Sequence, residues 1–338
     1  MKFALHKEGS FNKYWIDHLR KNEILFDFVD CFDTNIIKII REKKITHLLW
    51  NWNHTDYRAI IVAFGITKAV EKMGVIVYPC SESAYHFDNK VLQKYLFEAC
   101  NCPLVNSYVF YHKDQAIDWA SNTSYPKVFK LKGGAGSSNV KIVKNKSNAI
   151  RLIKRSFSYG FERMNRIEFF KDRVRVLKME KNLTSFLKLI KGFFELLRKL
   201  EIDKNLGKEK GYCYFQDFIP NNDSDTRIII IGEKAFGIKR FVKEKDFRAS
   251  GSGRISYKVE DINLACIKLS FEIKKQIKGG LVLAFDFVLD CNTYKLVEIS
   301  NNFSAEAYLN CPGYWDENLI FHEEFIPLPN YIINSMIE

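Results

Sequence analysis

Two acidic residues stand inside apolar runs late in the chain: Asp286 in Ala284-Phe285-Asp286-Phe287-Val288, and Glu298 in Leu296-Val297-Glu298-Ile299-Ser300-Asn301. Upstream of both, Pro126-Lys127-Val128-Phe129-Lys130 leads into the glycine-rich stretch Gly133-Gly134-Ala135-Gly136-Ser137-Ser138. Phosphate groups need neutralising cations and closely approaching backbone N–H donors, and Mg2+ needs carboxylate oxygens. Those residue types, in that order, supply both halves of a nucleotide site. Each part alone also has a plain structural reading. The glycine stretch fits a hairpin turn: no Gly-Lys-Ser/Thr closes it as in a P-loop, and Asn139 stands where a dinucleotide fingerprint ends in glycine. Asp286 alone fits a satisfied buried acid, and Arg227 a charge at a sheet edge.

These residues need strands and turns to hold them, and the hydrophobic pattern predicts such elements. Over the first ninety residues short apolar runs (3–5, 24–29, 46–52, 75–77) alternate with helical patterns (36–40, 57–73), which reads as a small open α/β domain with a mostly parallel sheet. Gly74 is placed to end the helix before residue 75. A helix over 89–99, a strand over 108–111 and a helix over 113–120 follow. Strands at 126–130 and 140–143 then make a hairpin with the glycine stretch at its tip. Between 183 and 200 apolar residues recur at helical spacing with lysines and arginines between them, a basic amphipathic helix. Strands resume at 213–219, 227–231 and 234–240, and after a helix over 262–277, at 281–289 and 294–299.

A chain of 338 residues that is 47% hydrophobic and 14% aromatic can bury a substantial core, which suggests two or three domains and excludes a disordered tail or a peptide scaffold. The first residues lack the apolar stretch of a secretory signal, and no run approaches the roughly 20 apolar residues of a spanning helix. A cytoplasmic location is expected. The eight cysteines are scattered, and only Cys100 and Cys102 are near each other, at neither a redox nor a zinc spacing, so free thiols are expected. The seven histidines form no metal-spaced cluster. The net charge of +12 is concentrated in residues 151–210, which hold 17 Lys/Arg against 8 Asp/Glu. Charge of that kind suits nucleic acid, an anionic membrane surface or an acidic substrate.

Taken together, the segments resemble the ATP-grasp superfamily, and within it the ribosomal-protein-S6-modification-like carboxylate-amine ligases. Asp88-Asn89-Lys90 with Cys102-Pro103-Leu104-Val105 is similar to the start of the first ATP-binding subdomain, and the lysine strand with its glycine loop to the phosphate-covering hairpin. Tyr214-Phe215-Gln216-Asp217-Phe218-Ile219-Pro220 resembles the hinge strand, and Asp225-Thr226-Arg227 the D-x-R after it. The runs around Asp286 and Glu298 resemble the paired metal-binding strands. The resemblance covers about residue 85 to residue 303.

It implies an α/β chain with the ATP-grasp fold, two α+β subdomains clasping ATP, preceded by a small open α/β domain. The expected division is 1–87 for that domain, 88–150 for the first subdomain, 151–211 for a basic helical insert, 212–310 for the second subdomain and 311–338 for a tail. By the same resemblance Lys90 and Lys130 contact the nucleotide phosphates, and the amides of Gly133, Gly134, Gly136, Ser137 and Ser138 close over them. Gln216, Asp217 and Phe218 read the adenine edge through their backbone. Asp286 and Glu298 hold Mg2+, with Mn2+ a second candidate, and Arg227, Arg240 and Arg248 face the γ-phosphate and the acceptor carboxylate. In one respect the chain departs from the pattern: Ser300 occupies the usual metal-binding asparagine position, with Asn301 and Asn302 next. Strand alternation turns Asn301 away from Glu298 unless the strand bulges or ends there. Asn302 is back in phase with Glu298, so Ser300, Asn301 and Asn302 all stand as candidates for a third ligand.

The activity implied is ADP-forming ligation of a small-molecule carboxylate to an amine or thiol through an acyl phosphate. The alternatives are a kinase of a small anionic acceptor and a non-catalytic ATP-binding protein. Residues 247–253, with Arg248, suit an anionic substrate, and the aromatic tail 308–316 resembles tails of ATP-grasp proteins in bacterial surface-polysaccharide pathways. Nucleic acid is not the expected partner, because the insert has no aromatic stacking platforms beyond the phenylalanines of its apolar stripe. That stripe packs on the body in the plain reading; exposed, it would suit a peripheral contact with an anionic membrane surface.

Overall fold

Phe3, Ala4 and Leu5 are completely buried, although only alternate residues of a strand share a face. Burial on both faces is the mark of a parallel sheet covered by helices. In the computed structural model these residues form β1 (Phe3–His6), at the centre of a parallel sheet with β2 (Phe26–Val29), β3 (His47–Leu49) and β4 (Ile76–Tyr78), in the order β2-β1-β3-β4. The structure describes the chain apart from residues 53–54, 134–138, 164–169, 172, 175–176, 178–181, 198–199 and 243–252. It divides into two units, Met1–Val105 with Ile219–Glu338, and Asn106–Phe218.

In the first unit, Phe3 and Leu5 face a cluster with Trp15 and Leu19 of α1 (Asn12–Lys21), while Ala4 faces Ile36 and Ile40 of α2 (Ile36–Glu42) and Ala59, Ala63 and Val70 of α3 (Tyr57–Glu71). Helix α1 went unread in the sequence because it buries only Trp15 and Leu19, too few to set a period. The Asp56 carboxylate caps α3 by accepting from the Arg58 amide. That helix stops two residues short of the expected end, and Gly74 takes the left-handed turn beyond it, at φ +79°.

The larger sheet runs β13 (Thr293–Ser300), β12 (Val282–Asp290), β9 (Ser224–Ile231), β10 (Lys234–Phe241), β14 (Gly313–Trp315), β15 (Phe321–Glu323), with β11 (Ile255–Ser256) also on β10. It too is buried on both sides. Ile228 and Ile230 pack with Ile267 and Ile273 of α10 (Leu264–Gln276), and Ile229 and Ile231 pack with Ile332 and Ile333 of α11 (Leu328–Ile337). Residues 311–338, expected as a tail, thus contribute two strands and a helix. Trp15 donates from its indole nitrogen to the Pro329 carbonyl at 2.8 Å, tying α11 to α1.

Two further helices sit between the sheets in sequence. After α4 (Ser81–Ala84), α5 (Lys90–Ala99) is capped by Asn89, whose side chain accepts from the Leu92 amide. Between them His86 is buried, and burial lowers its pKa to about 4.

The second unit is an antiparallel sheet ordered β5 (Ser107–Phe110), β8 (Cys213–Asp217), β6 (Lys127–Lys130), β7 (Lys141–Val143). One face packs Phe129, Cys213 and Phe215 on α6 (Lys113–Asn122) and α7 (Lys146–Ser156). The opposite face carries Ser107, Val128, Lys130, Tyr214 and Gln216, brought to one side by the registers Ser107↔Gln216, Val128↔Gln216 and Lys130↔Tyr214. Beyond α7 lie α8 (Leu183–Leu197) and α9 (Glu201–Leu206). The eight cysteines are free, and among the described residues no helix is long and apolar enough to cross a membrane.

The buried His86 gives the fold a pH dependence. Its folded pKa lies below the unfolded value of about 6.5, so its neutral form favours folding fully above pH ~6.5 and that contribution is lost as pH falls towards 4. The expected loss is on the order of 3 kcal/mol. Urea unfolding from pH 7 to pH 4 should show this slope in the wild type and a shallower one in His86→Gln.

Candidate functional site

The two acidic residues of the late strands stand directly opposite each other. Asp286 on β12 registers with Glu298 on β13 and, on its other side, with Arg227 on β9. The pairing depends on an irregularity. The register shifts between Asp286 and Phe287, so Phe287 faces Leu296 while Asp286 faces Glu298, and Val297 is the extra residue. Such a bulge changes which side chains share a face. Leu296 and Ile299, three apart, both enter the apolar core beside α10, and Glu298 is left on the face of Asp286.

Around this pair the charges are matched. The Asp286 Oδ1 lies 3.1 Å from an Arg240 terminal nitrogen and 3.5 Å from the Arg227 Nε. Arg240 also clasps Asp225 through two bonds of 2.7 Å. The Lys90 Nζ is 3.4 Å from the Glu298 carboxylate. Three cations, Lys90, Arg227 and Arg240, therefore face three carboxylates. Burial pushes the Asp225 carboxyl up against the opposing pull of Arg240. Burial also works against the charged forms of Arg240 and Lys90, yet their carboxylate neighbours outweigh it and raise both pKa values.

Lys90 is aimed by an amide. Gln93, one turn further along α5, donates to the Ile299 carbonyl at 2.8 Å and accepts from the Ile299 amide at 3.2 Å. Residues three apart on a helix share a face, so fixing Gln93 against residue 299 sets Lys90 beside residue 298. Gln93 was not singled out in the sequence; its only signal was its position three residues after Lys90.

Ser300 keeps the parity of Glu298, registering with Ala284, and its hydroxyl bonds the Asn302 backbone. The structure does not bring Asn301 to the carboxylate row. Its side chain is buried and donates to the Ser83 carbonyl at 3.2 Å, and its own carbonyl accepts from Tyr78. Asn302 is also engaged, accepting from Asn51 and donating to the Trp52 carbonyl. Both asparagines fasten the end of β13 to the parallel-sheet layer.

A residue that sequence reasoning missed completes the row. The Tyr308 hydroxyl is buried and has no hydrogen-bond partner among the described residues. Burial pushes its pKa up against the pull of Arg227 and Arg240.

In the second unit, the Lys130 Nζ donates to the Gln216 side-chain oxygen at 2.6 Å, and Gln216 donates in turn to Ser107 at 3.1 Å. On the opposite face of the sheet Lys127 pairs with Asp217 at 2.6 Å, and Asn106 donates to the other carboxylate oxygen. The Asp217 amide donates to the Asn106 carbonyl at 2.9 Å, and the ladder ends there, before Phe218. The approach to the glycine stretch is anchored by groups not read in the sequence. The Lys132 amide donates to the Tyr212 hydroxyl, which donates to the buried carboxylate of Glu209; that carboxylate also meets Arg163 and the Lys132 ammonium. Gly133 follows directly. Gly134, Gly136, Ser137, Ser138 and Arg248 lie outside the described residues.

The Asp286–Glu298 pair fits a divalent cation of the Mg2+ type. Its donors are hard carboxylate oxygens on adjacent strands, with side chains 13% and 30% exposed, so ligands can reach them. Among the described residues no group of three or more His, Cys, Asp or Glu could hold a metal. Two carboxylates with the remaining positions filled by phosphate or water is the usual environment of Mg2+ and not of structural zinc.

No family model and no curated protein matches the sequence. Solved structures do match in fold. A RimK domain ATP-grasp protein from Sphaerobacter thermophilus is similar at 11% identity over all of both chains, with a TM-score of 0.56. D-alanine–D-alanine ligase from Bacillus anthracis, in complex with ATP, is similar at 11% identity over 100% of this chain and 99% of that one, with a TM-score of 0.55. D-cycloserine synthetase DcsG is similar at 10% identity over 100% and 99%, with a TM-score of 0.61. The chain has the ATP-grasp fold, as the order of its motifs implied.

Two substitutions probe the row. Arg240→Leu leaves buried carboxylates facing each other and should cost about 3–5 kcal/mol in urea unfolding, much of which Asp225→Asn in the same chain should restore. Tyr308→Phe removes a hydroxyl with no hydrogen-bond partner among the described residues and should leave the stability within about 0.5 kcal/mol of wild type.

Proposed function

We propose that this protein is an ADP-forming ligase that uses Mg-ATP to activate a small-molecule carboxylate and joins it to an amine or thiol. The observation that carries the reading is the cross-strand pair of Asp286 and Glu298, bordered by Lys90, Arg227 and Arg240, on an ATP-grasp fold. In the first step a carboxylate oxygen attacks the γ-phosphorus, and the bond from that phosphorus to the bridging oxygen breaks. ADP leaves, and an acyl phosphate remains. In the second step the nucleophile attacks the acyl carbon, inorganic phosphate departs with the bonding pair, and the nucleophile gives up its proton.

The residues divide by chemistry. Lys130 supplies a cation for the phosphates, and Gly133 with Gly134, Gly136, Ser137 and Ser138 supplies amide donors. The strand end at Gln216, Asp217 and Phe218 takes the adenine edge. Asp286 and Glu298 hold the cation, with Ser300 as the candidate on the same face, and Mn2+ could replace Mg2+. The bound metal neutralises phosphate charge. Arg227 and Arg240, which lie beside Asp286, would serve the γ-phosphate and the substrate carboxylate, with Arg248 as a third cation. The Tyr308 hydroxyl, a buried donor beside those arginines, suits the same carboxylate. Charge stabilisation of that kind, with both reactants held in place, requires no covalent enzyme intermediate.

The substrate class we favour is an anionic small molecule, an acidic sugar, amino acid or peptide, used in the cytoplasm in assembling a surface polysaccharide. What supports it is Arg248 in a stretch whose composition suits an anion, together with the tail whose sequence resembles those of that group.

Incubating the purified protein with Mg-ATP, hydroxylamine and pooled carboxylates should release ADP and give a hydroxamate whose mass names the substrate. ADP without hydroxamate would indicate transfer to a hydroxyl or to water and sink the ligase reading. Glu298→Gln should abolish ADP release with the fold intact, and Lys130→Ala should weaken ATP binding by about tenfold or more. Unchanged turnover in a folded Glu298→Gln protein would remove the metal assignment.

A further inference from the structure

Helix α8 presents its faces in an unusual order. At 3.6 residues per turn, Leu183, Phe186, Leu187, Ile190 and Phe193 fall within about 120° of arc. All five are exposed, from 40% for Ile190 to 72% for Leu183. The side turned inward carries the small residues Ser185 and Gly192, both buried, with half-buried Leu189 between them. Gly192 leaves room on this side for Arg173: a Cβ there would lie 2.6 Å from its guanidinium, which donates to the Lys188 carbonyl. Glycine weakens a helix interior. Here it admits the arginine, so packing selects the small side and leaves the bulky apolar side outward.

The third side carries the exposed Lys188 and Lys191. Residues 171–199 hold nine Lys/Arg against three Asp/Glu. An exposed stripe of large aliphatic and aromatic residues within a cationic segment matches a surface that is apolar beneath and anionic above. A second copy of the chain would bring like charges together, and nucleic acid offers nothing to leucine and isoleucine. Fifteen residues span only about 22 Å, too short to cross a bilayer core of about 30 Å, so the helix would lie in the plane of the surface.

We propose that α8 docks the protein on an anionic lipid bilayer, with Leu183, Phe186, Leu187 and Ile190 entering the boundary between headgroups and acyl chains and Lys188 and Lys191 facing lipid phosphates. The proposal is independent of the ligase reading, since none of these residues is assigned to nucleotide, metal or substrate.

Co-sedimentation of the full chain with vesicles of equal parts phosphatidylcholine and phosphatidylglycerol, compared with phosphatidylcholine alone, tests it. Binding should require the anionic lipid and weaken as salt is raised. The double variant Leu187→Glu with Ile190→Glu, at two exposed positions, should lose about tenfold or more in affinity with its unfolding midpoint and ADP release unchanged. Absence of binding to the mixed vesicles, equal binding to both compositions, or unaltered binding by the double variant would each overturn the proposal. So would a solution dimer of the wild type that the variant converts to monomer, which would assign the stripe to a second copy.

Discussion

The register shift between β12 and β13 is the constraint on which the candidate site rests. Without the extra residue at Val297, the run of the pairing would set Asp286 against Val297, and either Leu296 or Ile299 would leave the core. The bulge satisfies both demands. Apolar residues three apart reach one core, and a carboxylate from each strand reaches the other face. Packing and chemistry are thus settled by the same backbone feature, and the hydrophobic drive to bury Leu296 and Ile299 keeps Glu298 where it is.

Charge matching then explains how such a row tolerates burial. Six ionised groups in partly buried positions would be costly if any lacked a counterpart. Asp286 and Asp225 share Arg240, Asp286 also meets Arg227, and Glu298 meets Lys90. The row is therefore close to neutral on its own.

Much of this was legible from residue order. The lysine-bearing strand before the glycine stretch, the two acid-bearing strands and the alternation of the first domain follow from local pattern. Tertiary contacts were not legible. Gln93 looks like any helix glutamine until residue 299 lies beside it, and Glu209, Tyr212 and Lys132 converge only once the second sheet has formed. Tyr308 lies in a tail whose sequence suggested turns and aromatics, and its relation to Arg227 and Arg240 depends on the sheet. The asparagines after Ser300 illustrate a different difficulty: residue type suggested ligands, while the structure uses Asn301 and Asn302 as joints to the parallel-sheet layer. Alternation argued against Asn301, but no periodicity indicates that Asn302 meets Asn51.

The bidentate bond from Gln93 to Ile299 has a consequence beyond aiming Lys90. β13 is the terminal strand of its sheet, and an open strand border offers unmet amides and carbonyls to any other chain. Here the Gln93 side chain occupies that border at residue 299, and residues 103–105 occupy it at residue 296. The border nearest the carboxylate pair is thereby closed to strand exchange between molecules. The glutamine that sets Lys90 in place thus also guards an exposed strand border against intermolecular pairing.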